Sequence, residues 1–168
     1  MAKDRLLVAA HTAVIVALLA VFLSSCSLPR IIVLRDPLTP EEHINLGVSY
    51  EKNGELDAAL KEYEAASKKS PVAYLYAGNI YLQKKLYEKA ESSYGIAIGK
   101  TKDPRAYNNL AWLYLTQDIR LEEAEKLARK AVELSPDSQD FKDTLDKIVE
   151  KRKATVPREI RDESADPR

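Results

Sequence analysis

The chain has 168 residues, 26 basic and 26 acidic, so its formal net charge is zero; it has one cysteine and two histidines. That balance argues against nucleic acid, which calls for a clear basic excess. One thiol excludes an intramolecular disulfide and a cysteine zinc site, and His11 and His43 alone cannot build a His-rich metal site. The 5 glycines form neither a dinucleotide-binding nor a P-loop motif.

Lys3 and Arg5 precede an unbroken apolar run, "AVIVALLAVFL", of 11 residues from Ala13 to Leu23. This is the length of a signal-peptide hydrophobic region. At about 1.5 Å per residue it is too short to cross a hydrocarbon layer about 30 Å thick. Reading back to Leu6 lengthens it to 18 residues but admits His11 and Thr12, which keeps an uncleaved anchor as the alternative. Leu23-Ser24-Ser25-Cys26 follows and holds the one cysteine. This stretch resembles the bacterial lipoprotein signal. The resemblance implies cleavage after Ser25, a diacylglyceryl thioether on Cys26 and an acylated new amino terminus. The one covalent group expected is therefore lipid, with no other cofactor. Several acyl chains hold a membrane firmly, because each buried CH₂ adds about 0.8 kcal/mol. Ser27, where an Asp would signal inner-membrane retention, leans toward the outer membrane of a Gram-negative host.

Residues 26–39 read as the lipidated start and a tether, with Pro29 and Pro37. Within it "IIVL" (31–34) is too apolar for a solvated linker and is expected to pack on the folded domain, or else to lie near the bilayer. The helical pattern starts with Thr39-Pro40-Glu41-Glu42: a capping threonine, a proline in the first turn and a glutamate that closes a capping box. Asn53-Gly54 ends that helix. A second helix starts near Glu55 and ends before Pro71, antiparallel to the first.

Then the pattern repeats. Leu46-Gly47-x-x-Tyr50 returns as Ala77-Gly78-x-x-Tyr81 and as Leu110-Ala111-x-x-Tyr114, at intervals of 31 and 33 residues. Small residues follow at Ala59 and Ala66, Ala90 and Ala97, Ala124 and Ala131. Large ones stand between them at Tyr63, Tyr94 and Leu127. Pro71, Pro104 and Pro136 mark boundaries. The stretch 40–136 resembles a tetratricopeptide array, whose repeat is about 34 residues. The expected fold is an all-α helix-turn-helix solenoid of three units, about 40–70, 71–103 and 104–136. The first interval is short, which tightens the turn at Ser70-Pro71; "TQDIRLEEA" adds a residue inside unit three. A charged helix over 137–153, with one stripe of Phe141, Leu145 and Ile148, suits a cap on the solenoid end. Residues 154–168 lack periodicity and read as a disordered tail.

Chemistry is scarce. His43 reads as a surface or groove-edge residue, and the carboxylates of "EKAE" and "EEAEKLARK" as solvated helix pairs. No enzyme is expected. The resemblance implies instead a concave groove lined by the first helix of each unit, which takes a protein or peptide partner. The groove positions fall on Ile44, Val48 and Glu51, on Leu75, Asn79 and Leu82, and on Asn108, Trp112 and Leu115. Tyr76, Arg105 and Asn109 lie beside them. Trp112 either contacts the partner or packs internally. The family's two-carboxylate clamp would use Ile44, Val48, Tyr76, Arg105 and Asn109. Only Arg105 there is cationic, so binding of acidic chaperone tails is not expected. The reading is a membrane-anchored adaptor of the bacterial cell envelope, serving assembly or secretion. A self-associating module, or a subunit that scaffolds an envelope enzyme, is the alternative.

Overall fold

The computed structural model describes residues 36–155 and, ahead of them, Ile15. Cys26, the "IIVL" patch, the signal segment apart from Ile15, and the tail from 156 onward lie outside the described residues. Among the described residues from Pro40 on, seven helices follow one another: α1 (Pro40–Lys52), α2 (Leu56–Ser67), α3 (Ala73–Gln83), α4 (Tyr87–Thr101), α5 (Pro104–Gln117), α6 (Leu121–Leu134) and α7 (Gln139–Thr155). All fall in the unit that begins at Leu38. Among the described residues no helix is long and apolar enough to cross a membrane.

The local signals have visible partners. Thr39 is extended, its Oγ1 accepts from the Glu42 N–H at 3.2 Å, and its own N–H donates to Glu42 Oε2 at 2.7 Å. Such a box contributes about 1 kcal/mol. Asp103 caps α5 by accepting from the Arg105 N–H at 2.9 Å, with Pro104 in the first turn. α3 starts differently. Pro71 lies two residues before the helix, and Ala73, Tyr74 and Leu75 donate to the carbonyls of Ser70, Pro71 and Val72. These i to i−3 bonds wind a tight turn where the repeat interval is short. Gly54, in the turn between α1 and α2, sits at φ +80°, where a residue without Cβ is at ease. The turn of unit three is three residues long, like those of units one and two, because the extra residue expected there lengthens the end of α5 instead; it uses two left-handed residues, Asp118 at φ 54° and Arg120 at φ 46°.

Neighbouring helices pack in order: α1 on α2, α2 on α3, and so on to α6 on α7, with α7 also touching α5. Tyr63 and Tyr94 are fully buried, each filling the space over a glycine of the partner helix. Unit three departs from the expected pattern. Its buried position is Ala128, fully covered like Ala124 and Ala131, and Leu127 is only half-buried at the core margin. The register itself matches the other units: Ala124, Ala128 and Ala131 fall 4 and 3 residues apart, as Ala59, Tyr63 and Ala66 do, so the residue that takes the place of Tyr63 and Tyr94 is Ala128. Ile148 of α7, fully buried, enters the same cluster as Ala111 and Ala128. α7 runs to Thr155, so Ala154 and Thr155 continue the helix. Glu125, one of the carboxylates read as a solvated pair, bonds Arg129 on its own helix and Arg152 on α7.

Candidate functional site

The first helices of the pairs carry the candidate groove. Charged residues make up 31% of the chain, yet α3 has none and α5 has only Arg105. That guanidinium is committed: it forks onto Asp103, with Nη2 2.6 Å from Oδ2 and Nε 3.0 Å from Oδ1. Burial alone would push the Asp103 carboxyl up, but the bonds from Arg105 outweigh it and hold it below the usual range. Arg105 is pushed up in turn, first by Asp103 and also by a bond to Tyr76. α3 and α5 thus offer amides, aromatics and aliphatic groups in place of charge, whereas α1 carries Glu41, Glu42, Glu51 and Lys52.

The amides hold one another. Asn79 Oδ1 accepts from the Tyr94 hydroxyl and from Asn109 Nδ2, each at 2.9 Å. This ties α3 to both α4 and α5. Burial raises the Tyr94 phenol far above its ordinary value, which keeps it a donor. Glu51 is similarly engaged, accepting from the Tyr63 hydroxyl at 2.9 Å and from Gln83 Nε2 at 2.9 Å. Tyr76 stacks on Tyr63 with ring centroids 5.3 Å apart. Ile44 and Val48 are half-buried against the cluster of Ala59, Tyr63, Ala77 and Ile80. Leu82 and Leu115 are half-buried against the larger cluster.

Two sequence readings need correction. Leu75, placed in the groove, is 2% exposed and packs in the core with Ala106 and Leu110. The next helix pair covers it, which periodicity within one helix does not reveal. His43, read as a surface residue, is buried, and its Nδ1 lies 2.7 Å from Glu62 Oε2. That imidazole ties α1 to α2. Lys147, which sequence reasoning had not singled out, comes over the Trp112 ring at 5.2 Å from its centroid. Only the docking of α7 on α5 creates this contact. Trp112 remains 36% exposed, the most open large aromatic of the described residues. Asn108 is half-buried and its Oδ1 is buried without a donor among the described residues. Such an acceptor costs about 1–3 kcal/mol.

The tetratricopeptide repeat model of known proteins matches residues 44–101 and 87–139, together more than half of the chain. The chain belongs to the tetratricopeptide repeat family. The first tetratricopeptide domain of human RPAP3 is 24% identical over 71% of this chain and 96% of its own, with a TM-score of 0.64. The first such domain of Spaghetti (RPAP3), solved bound to the HSP90 peptide SRMEEVD, is 24% identical over 70% of this chain and 96% of its own, at 0.63. A tetratricopeptide repeat protein of Parabacteroides merdae is 21% identical over 71% of this chain and 48% of its own, at 0.61. At this identity the likenesses carry the fold of the tetratricopeptide array and not its ligands. No curated protein sequence matches the chain.

Proposed function

We propose that this tetratricopeptide protein is a non-catalytic, membrane-tethered adaptor. It is acylated on Cys26 and holds a segment of a partner protein along the concave face of α1, α3 and α5. The observation that carries the groove reading is Trp112. A Trp left 36% exposed on α5, a helix whose one charged residue is Arg105, is the kind of surface that anchors a partner. The Spaghetti (RPAP3) domain bound to an HSP90 peptide supports peptide binding by this fold. Here the clamp positions are apolar or engaged, so the partner differs in chemistry from a chaperone tail.

The membrane part of the reading rests on sequence. A basic start, an 11-residue apolar run and Leu23-Ser24-Ser25-Cys26 make a lipoprotein signal. The site of action is then the bacterial cell envelope, and with Ser27 the periplasmic face of the outer membrane in a Gram-negative host. Tethering raises the local concentration of the groove at that surface, so modest affinity suffices. A role in envelope assembly or secretion fits such an arrangement.

Two measurements test this. Mass spectrometry of the mature amino-terminal peptide reads the lipid on Cys26; a Cys26→Ala protein that is still cleaved and lipidated sinks the anchor. A photo-crosslinking residue at Trp112, against a control at exposed Lys61 on α2, reads the groove in the native host. Adducts to another protein from Trp112 alone support the adaptor. Adducts only to the chain itself point to the self-associating module.

A further inference from the structure

We propose that the outer face of α4, with the cleft between α4 and α6, is a second docking surface. Its occupant is a helix of a partner protein that sets a Lys or Arg beside small and apolar residues. The surface belongs to the second helices of the pairs and is separate from the concave groove. The repeat register gives the first argument. Counted from the buried alanines Ala59, Ala90 and Ala124, unit one has Lys61, Glu64 and Lys68 where unit three has Lys126, Arg129 and Glu133. At the same three places α4 has Ser92, Gly95 and Gly99, all exposed. The fold does not call for these glycines, since a Cβ on either meets nothing within 4 Å. Glycine weakens a helix interior, and nothing inside the chain offsets that here. Ile96, 36% exposed, borders the bare stripe.

The cleft gives the second. α4 and α6 both pack on α5 and leave about 550 Å³ between them, floored by Leu110 and Tyr114. Glu88 and Glu91 of α4 and Glu123 of α6 line it. Arg120 stands at its edge but is committed: Nη2 lies 2.5 Å from Glu91 Oε2, and the guanidinium covers the Tyr114 ring at 4.1 Å. Glu123 keeps only a 3.9 Å contact with Arg120, and Glu88 has no ion pair among the described residues. The preceding seam supplies its own cations. There Lys84 pairs with Asp57, and Lys89 sits 5.6 Å from the ring centroid of Tyr81, the counterpart of Tyr114. One repeat later Glu88 stands for Asp57 and Glu123 for Lys89. A cationic side chain from outside thus finds two carboxylates to bond and an apolar floor for its stem. The stripe sets the backbone that brings it. From Ser92 to Gly99 it runs about 10 Å, two turns of α4. The peptide groups of α4 are used within the helix, so an extended strand finds none to pair with. A second helix needs only close contact, which glycines permit, and Ile96 meets its apolar residue.

The test pans the full-length protein in detergent against a tryptophan-free library of helical hairpins with one randomised face. The enriched helices are expected to carry Lys or Arg beside Ala, Ser or Gly and one of Leu, Ile or Val. Their binding leaves the emission of Trp112, the one tryptophan of the chain, unchanged. Glu123→Lys, which puts a cation in the cleft, weakens them by about tenfold or more. Gly99→Lys, which gives α4 the residue that unit one has in Lys68, weakens them as much and raises the melting temperature. Binding that falls while the fold gains is not the mark of a merely structural position. Lys142→Glu on α7 leaves binding unchanged. Helices without a cation, no enriched helix, or affinity that survives Glu123→Lys and Gly99→Lys overturn the proposal. Helices that shift the Trp112 emission and ignore Gly99→Lys sit in the concave groove; the adaptor reading then stands and this one falls. Binding that appears only once residues 156–168 are removed assigns the face to the chain's own tail and overturns it. A dimer that Gly99→Lys dissociates assigns the face to a second copy, with the same result.

Discussion

A Cβ on Gly47 would stand 2.4 Å from the ring of Tyr63, a side chain with no exposed surface. The same relationship recurs one repeat later, where Gly78 would come within 2.6 Å of Tyr94. Both rings are enclosed and each hydroxyl is bonded, so neither can swing away. Gly47→Ala and Gly78→Ala are expected to destabilise by about 1–3 kcal/mol each, by overpacking. Gly95→Ala and Gly99→Ala in α4 meet open space and are expected to stabilise by about 0.5–1 kcal/mol, through helix propensity. Urea midpoints of the four variants check this; a neutral Gly47→Ala would contradict the close approach.

Leu75 and Trp112 were equivalent candidates in the sequence, yet they separate cleanly here. Leu75→Ala empties a buried site and should cost about 2–5 kcal/mol of stability. Trp112→Ala removes a side chain that is 36% exposed, so it should cost less stability but abolish partner capture. Thermal melting together with crosslinking yield separates the two. Trp112→Ala that unfolds the domain while binding persists in the residual folded fraction would make Trp112 a packing residue.

Asn108→Leu removes a buried acceptor that has no donor among the described residues. A gain of about 1–3 kcal/mol in folding stability is expected. The readout is a denaturant midpoint in the absence of any ligand. A loss instead would show that Asn108 Oδ1 is satisfied in solution, for instance by a bound water.

Acid should act on the joint between α6 and α7. Glu125 is held below its ordinary value by Arg129 first, against a burial penalty, and then by Arg152. A lowered carboxylate stabilises the fold fully above its unfolded pKa and loses that contribution as pH falls through the folded value. The stability advantage of the wild type over Glu125→Gln is thus present at neutral pH. It should shrink from about pH 5 downward and vanish below the depressed folded value. Denaturation midpoints of both proteins across that range check the sign.

Much of the repeat frame was legible. Gly47, Gly78 and Ala111, with the alanines of the second helices, mark where backbones must approach, and only small residues allow it. The capping box at Thr39 and Glu42 was equally readable, because its partners are three residues apart. Leu127 was misread by one position: the buried residue four after Ala124 is Ala128, matching Tyr63 and Tyr94, and a reading that looks for a large side chain there passes over an alanine. His43 was misread because its partner, Glu62, lies 19 residues away on another helix.

The sequence alone determined the unit: a helix pair whose small residues sit at fixed spacing, which is a property of one chain segment and its period. The tertiary structure decided which positions of that pair stay open. Leu75 and Asn108 share a register, but the helix that follows each differs, α5 in one case and the capping helix α7 in the other. Coverage by a later helix is a long-range contact and leaves no periodic trace in the segment covered. The pairing of Lys147 with Trp112, and the lone acceptor of Asn108, arise only once α7 has packed against α5 and α6.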